Sequence, residues 1–300
     1  MAADRAPRGL IAQVACILEA TARKPGNVHR FADFADVTYV DFLLSAAAIA
    51  GPLDGAQAAG VGATILGAVE ATRRVVATNT NLGMILLLAP PAAVPEGVDL
   101  RAGVAAVLAA TTVDDARLAY RAIRLARPGG LGVTPEQDVA AEPTIPLVET
   151  MRLAADRDLV ARQYATDYAD VFDVALPPLR AAIAAGRPPE AAIIAAHLTL
   201  MARRPDTRIA RKLGPAVAAE SASRAADVLA AGGPTAARDR LTSLDAWLRA
   251  DGHARNPGAT ADLIAAALFV AIRDGTMTFP WPGGIGGWAD DSLPRVTPGR

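Results

Sequence analysis

The sequence feature that most constrains the fold is the near absence of β-branched runs in which apolar and polar residues alternate. Such alternation is typical of a half-buried strand, whereas the heavy use of alanine throughout this chain favours helices. In the first regular segment, Leu10, Val14, Leu18 and Thr21 recur at helical spacing. The sequence therefore predicts an all-α protein of about a dozen helices, over residues 9–22, 38–50, 57–77, 80–90, 99–109, 112–126, 144–160, 165–185, 189–202, 215–231, 235–250 and 260–273.

Proline and glycine separate the predicted helices, because both residues are unfavourable in a helix interior. The breaks lie at Gly51-Pro52, Pro90-Pro91, Pro128-Gly129-Gly130, 186–189, Gly232-Gly233-Pro234 and Pro257-Gly258. None of these breaks is long enough for an interdomain linker, so we expect one helical domain over residues 1–279. Residues 280–300 contain two tryptophans and several glycines and are predicted to form an irregular C-terminal tail.

The composition narrows the class of protein. The chain is 52% hydrophobic, carries a net charge of −1 and has an isoelectric point near 6.3, which argues against a nucleic-acid or membrane-surface protein. The longest apolar stretches, residues 82–89 and 263–272, are too short to span a bilayer. Cys16 is the single cysteine, so no intrachain disulfide can form. We expect a cytoplasmic protein with small-molecule partners, and leave homo-oligomerisation open.

The first candidate site is a basic turn at residues 23–30, directly after the first predicted helix. A Pro-Gly pair that includes Gly26 ends the helix, so the charges of Lys24 and Arg30 and the amide of Asn27 lie on a turn. Guanidinium and ammonium groups at a tight turn suit a ligand with several phosphates. The alternative is a helix end whose cations complement the helix dipole.

A second candidate is the polar stretch at residues 78–83, which precedes an apolar run. It contains Asn79 and Asn81 among more capping side chains than one helix start needs. The free N–H groups of a helix start could bind phosphate or a ribose hydroxyl, with the two asparagines as hydrogen-bonding groups. The alternative is an ordinary helix cap followed by a polar turn.

A third candidate is the cluster at residues 203–208, where three arginines surround Asp206. Arginines there, Arg208 among them, can keep the carboxylate ionised and still have donors for an anion. The alternative is a solvated loop with surface ion pairs.

The fourth candidate is the start of the last long helix, residues 256–262, which begins with Asn256. Thr260 is predicted as the N-cap, and Asp262 would favour the helix dipole. Alternatively, Asp262 points into a polar cleft, where it binds Mg²⁺ or accepts a proton from an attacking hydroxyl.

These four segments, in this order, resemble the triphosphoribosyl-dephospho-CoA synthase family over residues from about 10 to 274. Lys24-Pro25-Gly26 matches the family's Pro-Lys-Pro-Gly turn, and Asp41 matches the acidic position that follows it. Residues 79–83 match an Asn-Thr-His-Lys-Gly stretch. Asp206-Thr207 matches an Asp-Thr segment, and residues 256–263 match a Ser-Pro-Gly-Gly-Ser-Ala-Asp-Leu helix start.

The resemblance implies an all-α transferase that uses ATP with Mg²⁺. Enzymes of this family expel adenine from C1′ of ATP and join the triphosphoribosyl group to a ribose hydroxyl of dephospho-CoA. Carboxylates suit that reaction, because they stabilise an oxocarbenium-like state and can take the proton of the incoming hydroxyl.

The resemblance also assigns site residues by their chemistry. The candidate catalytic residues are Asp41, Asp206 and Asp262, of which Asp206 and Asp262 are the candidate Mg²⁺ ligands. The candidate substrate and phosphate ligands are Lys24, Gly26, Asn27, Arg30, Asn79, Asn81, Arg208 and Asn256. The sequence does not decide which aspartate is the base.

Two departures from the family pattern leave the donor and the acceptor open. Asn81-Leu82 replaces a His-Lys pair, and residues 34–39 replace an Asn-Asn-Gly-Ala-His stretch. Leucine cannot supply the charge of the missing lysine. Transfer from phosphoribosyl pyrophosphate to a methanopterin-type precursor is therefore an alternative, as is a Mg²⁺-dependent nucleotide hydrolase. A helical interaction protein whose motifs are only caps and stops is the non-enzymatic alternative.

Overall fold

Helices form nearly all the regular structure in the computed structural model, which describes residues 6–129, 136–279 and 293. The α-helices are α1 (Arg8–Thr21), α2 (Tyr39–Asp54), α3 (Ala56–Ala59), α4 (Val61–Arg73), α5 (Leu82–Ala93), α6 (Leu100–Ala109), α7 (Val113–Ala126), α8 (Leu147–Arg152), α9 (Leu159–Ala165), α10 (Leu176–Ala184), α11 (Pro189–Arg203), α12 (Thr207–Leu213), α13 (Pro215–Ala230), α14 (Gly233–Ala236), α15 (Arg238–Arg249) and α16 (Gly258–Arg273). A π-helical turn, Val171–Ala175, precedes α10. Only isolated bridges, at His29–Ala32 and Phe34–Val37, resemble strand pairing among the described residues. The all-α prediction is confirmed.

Contacts group the chain into two compact units. The first unit contains Met1–Ile17 and Val40–Tyr168, and the second contains Leu18–Tyr39 and Ala169–Arg300. The basic turn therefore belongs to the same unit as the C-terminal helices. The predicted boundary after residue 279 adjoins residues outside the described part, so the tail over 280–300 stays a prediction, with Leu293 as its one described residue.

Helix α5 continues through Pro90 and Pro91, although the sequence predicts a break there. Proline has no N–H group, so it cannot donate to the carbonyl four residues earlier. The helix therefore leaves the carbonyls of Leu86 and Leu87 without their usual helical donors. Inside a protein, such a carbonyl needs another partner.

Two buried tyrosines supply the missing donors within the first unit. Tyr164 donates its hydroxyl to the Leu86 carbonyl at 2.6 Å, and Tyr168 donates to the Leu87 carbonyl at 3.1 Å. Burial raises the pKa of both tyrosines, so the hydroxyls stay protonated and can act as donors. Tertiary contacts thus stabilise a helix that local sequence rules would end.

Other predicted helices are divided in the structure. Gly60 has a φ of 83°, a left-handed conformation that glycine adopts without strain, and it separates α3 from α4 within the predicted helix 57–77. Asp158 caps α9 through the N–H groups of Val160 and Ala161, so the predicted helix 144–160 is also divided, into α8 and the start of α9. Helix α12 was not predicted as a helix.

The core of the second unit surrounds α16. This helix is buried over most of its length and contacts α10, α11, α12 and the π-helical turn. A helix that is apolar on nearly all sides belongs in a protein core. An adjoining apolar cluster includes Ile194, Leu198 and Met201 of α11 and Leu241 of α15. None of the described helices combines the length and the hydrophobicity that a membrane crossing requires.

Candidate functional site

Three of the four predicted motifs lie together in the second unit. The basic turn, the arginine-rich segment after α11 and the start of α16 are joined by side-chain hydrogen bonds. Two of these motifs are more than two hundred residues apart in the sequence, as the Asn27–Asn256 contact shows. The prediction that these helix ends converge is therefore met for the motifs of this unit.

Asp206 connects the starts of α12 and α16. One carboxylate oxygen accepts the N–H groups of Arg208 at 2.8 Å and Ile209 at 3.2 Å, and so caps α12. The other oxygen accepts the N–H group and the hydroxyl of Thr260, at 2.7 and 2.8 Å. Thr260 consequently lies inside α16 and is not its N-cap, because the helix already begins at Gly258.

The surroundings of Asp206 do not fit the predicted roles of metal ligand and base. The side chain is fully buried, and both its oxygens are occupied by donors. Burial raises the pKa of Asp206, while the hydrogen bonds from Thr260, Ile209 and Arg208 oppose that shift. The geometry is that of a carboxylate that joins two helices.

Arg208 lies between the two remaining motifs. Its Nη1 donates to the carbonyls of His253 at 2.9 Å and Asn256 at 3.1 Å. Its stem passes close to Gly258, where an added Cβ would lie 2.8 Å from Arg208 Cδ. No contact within the described residues occupies its Nη2, so this half of the guanidinium can bind an anion.

Asn27 joins the basic turn to the start of α16. Its Nδ2 donates to Oδ1 of Asn256 at 2.7 Å, and its carbonyl accepts a hydrogen bond from Arg249. Oδ1 of Asn27 is buried and has no hydrogen-bond donor within the part of the chain that the structure describes. A buried acceptor without a donor is uncommon and indicates a site that needs a further partner.

Gly26 fixes the position of the basic turn against α15. Its N–H donates to Asp245 at 2.7 Å, and Asp245 also accepts from Arg249 at 2.9 Å. The φ of Gly26 is 74°, and an added Cβ would lie 2.7 Å from Leu248 Cβ. Both the backbone conformation and the close approach require glycine here.

Lys24 does not have the exposure that a phosphate ligand needs. Its ammonium group is fully buried, lies 2.9 Å from the Glu19 carboxylate and also donates to the Glu19 carbonyl. Burial raises the pKa of Glu19, and the charge of Lys24 opposes this shift. The pair closes the C-terminal end of α1, so the structure places Lys24 in a structural role.

The two arginines of the basic turn share one buried acid, Glu190 of α11. Arg23 binds both oxygens of Glu190, at 2.6 and 2.9 Å, and is itself buried. Arg30 approaches the same oxygens at 3.2 Å, and its side chain remains 21% exposed. Its Nε has no partner among the described residues. Of the two arginines of this turn, Arg30 is therefore the more exposed one.

Glu190 was missed by the sequence reasoning. The available signal was a single carboxylate in the first turn of an otherwise apolar helix, directly after two prolines. A charge in that position is equally typical of a surface helix start, so the sequence does not distinguish the two cases.

Both buried histidines of the second unit are neutral. Burial and four nearby cations, Arg249 foremost, lower the pKa of His29 to about 2. Burial likewise lowers the pKa of His197, and neither of its ring nitrogens has a hydrogen-bond partner among the described residues. His29 Nδ1 accepts the N–H of Phe31 at 3.2 Å, so this ring supports the turn.

Asp262 of α16 is a further predicted carboxylate in the second unit. It lies in the first turns of α16 and is half-buried. Burial lowers the pKa of Arg208, while the charges of Asp206 and, to a smaller extent, Asp262 raise it.

The remaining predicted residues lie in the first unit. Ser45 of α2 donates its hydroxyl to the Asp41 carbonyl at 2.6 Å and lies 2.5 Å from the Thr80 hydroxyl. Because the single hydroxyl proton of Ser45 is used, Thr80 is the donor in that second contact. Asp41 itself is half-buried. The start of α2 therefore adjoins the second motif.

The two asparagines of that motif have different surroundings. Asn81 is buried and donates to the Thr72 hydroxyl at 3.1 Å, whereas Asn79 accepts the N–H of Leu82 at 3.2 Å. Both line a shallow pocket, together with Val69, Thr72, Arg73, Thr78, Leu82 and Ala126. Leu82, which replaces the lysine of the family pattern, is buried and contributes an apolar wall.

The acidic and basic residues of the described chain form no cluster of three or more His, Cys, Asp or Glu side chains that could hold a metal ion. Asp206 is occupied by its four donors.

Comparisons with known proteins bear on the family and the fold. The model of the family described as ATP:dephospho-CoA triphosphoribosyl transferase matches residues 7–278. The chain is also similar to a crystal structure from Archaeoglobus fulgidus, described as that of a proposed triphosphoribosyl-dephospho-CoA synthase. The TM-score is 0.63 at 24% identity, over 78% of this chain and 100% of the other. The comparison with curated proteins gives no match. At this identity, the structural likeness supports the fold.

Proposed function

This chain belongs to the ATP:dephospho-CoA triphosphoribosyl transferase family, and we propose that the motifs joined in the second unit bind the triphosphoribosyl group during its transfer. The family reaction moves a triphosphoribosyl group from ATP to dephospho-CoA. A bond forms between the acceptor oxygen and C1′ of ATP, and the bond from C1′ to adenine breaks. The hydroxyl proton must leave, and the departing adenine must take up a proton.

The observation that carries this proposal is the connected set of side chains between the three motifs. Asp206 fixes the starts of α12 and α16, Arg208 binds the Asn256 carbonyl, and Asn256 binds Asn27 of the basic turn. Such a network holds charged groups in a fixed geometry before substrate arrives, which favours catalysis.

Arg30 and Arg208 are the proposed triphosphate ligands. The Arg30 side chain is partly exposed, and Nη2 of Arg208 has no partner among the residues that the structure describes; each guanidinium is held by further hydrogen bonds. Arginine can donate two parallel charge-assisted hydrogen bonds to a phosphate. We assign to these two arginines the phosphate-binding role first predicted for Lys24, because the Lys24 ammonium is paired with Glu19.

Asp262 is the proposed base for the acceptor hydroxyl. It is half-buried, its charge acts on Arg208, and it matches the aspartate of the family's helix-start motif. A carboxylate at this place can take the hydroxyl proton and can stabilise positive charge that develops at C1′.

Asn27 is proposed to accept a hydrogen bond from a sugar hydroxyl. Its free group is the acceptor oxygen, and that oxygen requires a donor. A fully ionised phosphate has no proton to offer, but a ribose hydroxyl does. Asn27 would therefore recognise the sugar, while the arginines recognise the phosphates.

Magnesium is proposed to arrive with the nucleotide. Mg²⁺ at nucleotide sites is commonly held by substrate phosphates, water and one or two carboxylates. Asp262 is a candidate for one such ligand, as the alternative to its role as the base. In the first unit, Asp41, Asn79 and Asn81 remain proposed substrate contacts.

The test is product analysis by mass spectrometry with ATP, Mg²⁺ and dephospho-CoA. We expect adenine release that depends on the acceptor, together with one triphosphoribosyl adduct. Adenine or phosphate release without an acceptor would instead indicate hydrolysis and contradict the proposal.

A parallel incubation replaces ATP with phosphoribosyl pyrophosphate, because Leu82 stands in place of the family's lysine. Pyrophosphate release and a phosphoribosyl adduct with this donor alone would overturn ATP as the substrate. If ATP supports transfer while a methanopterin-type acceptor replaces dephospho-CoA, the donor assignment holds and the acceptor assignment fails.

A further inference from the structure

Leu293 is part of the core of the second unit. Its side chain is 3% exposed and belongs to the apolar cluster that includes Ile194 and Leu198 of α11. Its carbonyl accepts a hydrogen bond from Nη1 of Arg23 at 3.0 Å. The family match ends at residue 278, so Leu293 lies beyond the part of the chain that the family model covers.

The hydrogen bond to Leu293 is one of the contacts of a buried cation. Nε and Nη2 of Arg23 bind Glu190, and Nη1 binds the Leu293 carbonyl. Arg23 is only 6% exposed, so water cannot replace a lost partner without rearrangement. Removing one partner of a buried charge is costly, because the remaining group stays desolvated.

Glu190 connects Arg23 to Arg30. Arg23 holds both oxygens of Glu190, and Arg30 binds the same two oxygens at longer distances. Arg23 thus fixes the Glu190 carboxylate from the buried side, and Arg30 binds the same carboxylate from the more exposed side. A shift of Arg23 would move the acceptor that orients the Arg30 guanidinium.

We propose that Leu293 is a positioning residue for the phosphate-binding arginine, acting through Arg23 and Glu190. The inference rests on the proposed role of Arg30 in binding ATP. In this view, a residue beyond the family-matched region completes the basic turn. The expected consequence is a change in nucleotide affinity that exceeds the effect of an equivalent cavity elsewhere in the same cluster.

The experiment compares Leu293→Ala with Leu241→Ala in the full-length protein. Leu241 is 3% exposed and lies in the same cluster, but no hydrogen bond joins it to Arg23. Both variants should lower the melting temperature, because both leave a cavity. Leu293→Ala keeps the main-chain carbonyl but removes the buried side chain that anchors it beside Arg23. Only this variant should therefore loosen the contact to Arg23 and weaken ATP binding, by about fivefold or more in titration calorimetry. In turnover assays the KM for ATP should rise while kcat stays close to that of the wild type.

Equal ATP affinity in the two leucine variants would overturn the inference. If Leu293→Ala does not fold, Arg23→Lys provides the same test, because lysine keeps the charge but cannot hold Glu190 and the Leu293 carbonyl together. Unchanged ATP affinity in that variant would also contradict the proposal.

Arg30→Ala separates this inference from the proposed function. If the wild type binds ATP and Arg30→Ala does not weaken binding, the role of Arg30 is wrong, and the inference about Leu293 fails with it. If Arg30→Ala weakens binding but Leu293→Ala and Arg23→Lys do not, the proposed function stands and only the inference about Leu293 is wrong.

Discussion

Thr260 donates both its main-chain N–H and its hydroxyl to one carboxylate oxygen of Asp206, at 2.7 and 2.8 Å. This contact holds the start of α16 against the start of α12 in the interior of the second unit. It explains why an aspartate inside an arginine-rich segment is fully buried. Asp206 therefore positions the two helix starts that belong to the candidate site.

Asp206→Asn should lower the stability of the fold. An amide would direct an N–H group toward the donors of Thr260 or of Arg208, so at least one buried hydrogen bond would be lost. We expect a loss of about 1–3 kcal/mol in the free energy of unfolding, measured by urea denaturation. Thr260→Ser, which keeps the hydroxyl, should lose less. Wild-type stability in Asp206→Asn would contradict this role.

Asp262→Asn should remove turnover and leave the fold intact. An amide has nearly the same shape as the carboxylate but cannot take a proton. A loss of about 10²-fold to 10⁴-fold in kcat is expected for a general base, measured by adenine release. The control is Asp227→Asn, at an exposed aspartate of α13, which should keep full activity. A kcat for Asp262→Asn equal to that of the control would exclude Asp262 as the base.

Lys24→Met should destabilise the protein, since it leaves the carboxylate of Glu19 buried without its cation. Breaking one side of a buried ion pair typically costs about 3–5 kcal/mol. Thermal unfolding measures the effect. The double variant Lys24→Met with Glu19→Gln should recover part of the stability, because no buried charge is then left alone. If Lys24→Met instead keeps its melting temperature and loses only ATP affinity, the originally predicted phosphate role is correct.

Stability should fall as the pH drops below about 6.5, the ordinary pKa of histidine. The pKa values of His29 and His197 are lowered in the folded state, so the unfolded chain takes up protons first and is favoured in acid. Between pH 7.5 and 5.5 we expect the two histidines together to lower the free energy of unfolding by roughly 2–3 kcal/mol, measured by urea denaturation. His197→Met should remove about half of this pH dependence. A profile that does not change in that variant would show that His197 is not buried in its neutral form.

The helical fold follows largely from local patterns, because helical spacing and alanine content act over short distances. The exception at Pro90 and Pro91 shows the limit of such rules. The donors that keep α5 intact come from Tyr164 and Tyr168, some eighty residues later. No local pattern around the prolines contains that information.

The motifs of the candidate site could be predicted from the sequence, but the burial of its charged side chains could not. Lys24 and Arg30 look alike in sequence as cations of one turn, yet the first is buried against Glu19 and the second reaches the surface. Glu190 and Leu293 are far from the turn in sequence, so the partners that make this difference appear only after folding. The same holds for Asp206, whose donors lie on another helix.

The arrangement of the basic turn also has a consequence for biosynthesis. Its anchors Glu190, Asp245 and Asn256 are 160 or more residues away in the chain. The turn is therefore synthesised early, and these partners are synthesised much later in translation. Contacts at such separations form late and slowly. A nascent chain stalled before α11 would carry Arg23 and Arg30 without their shared acid Glu190.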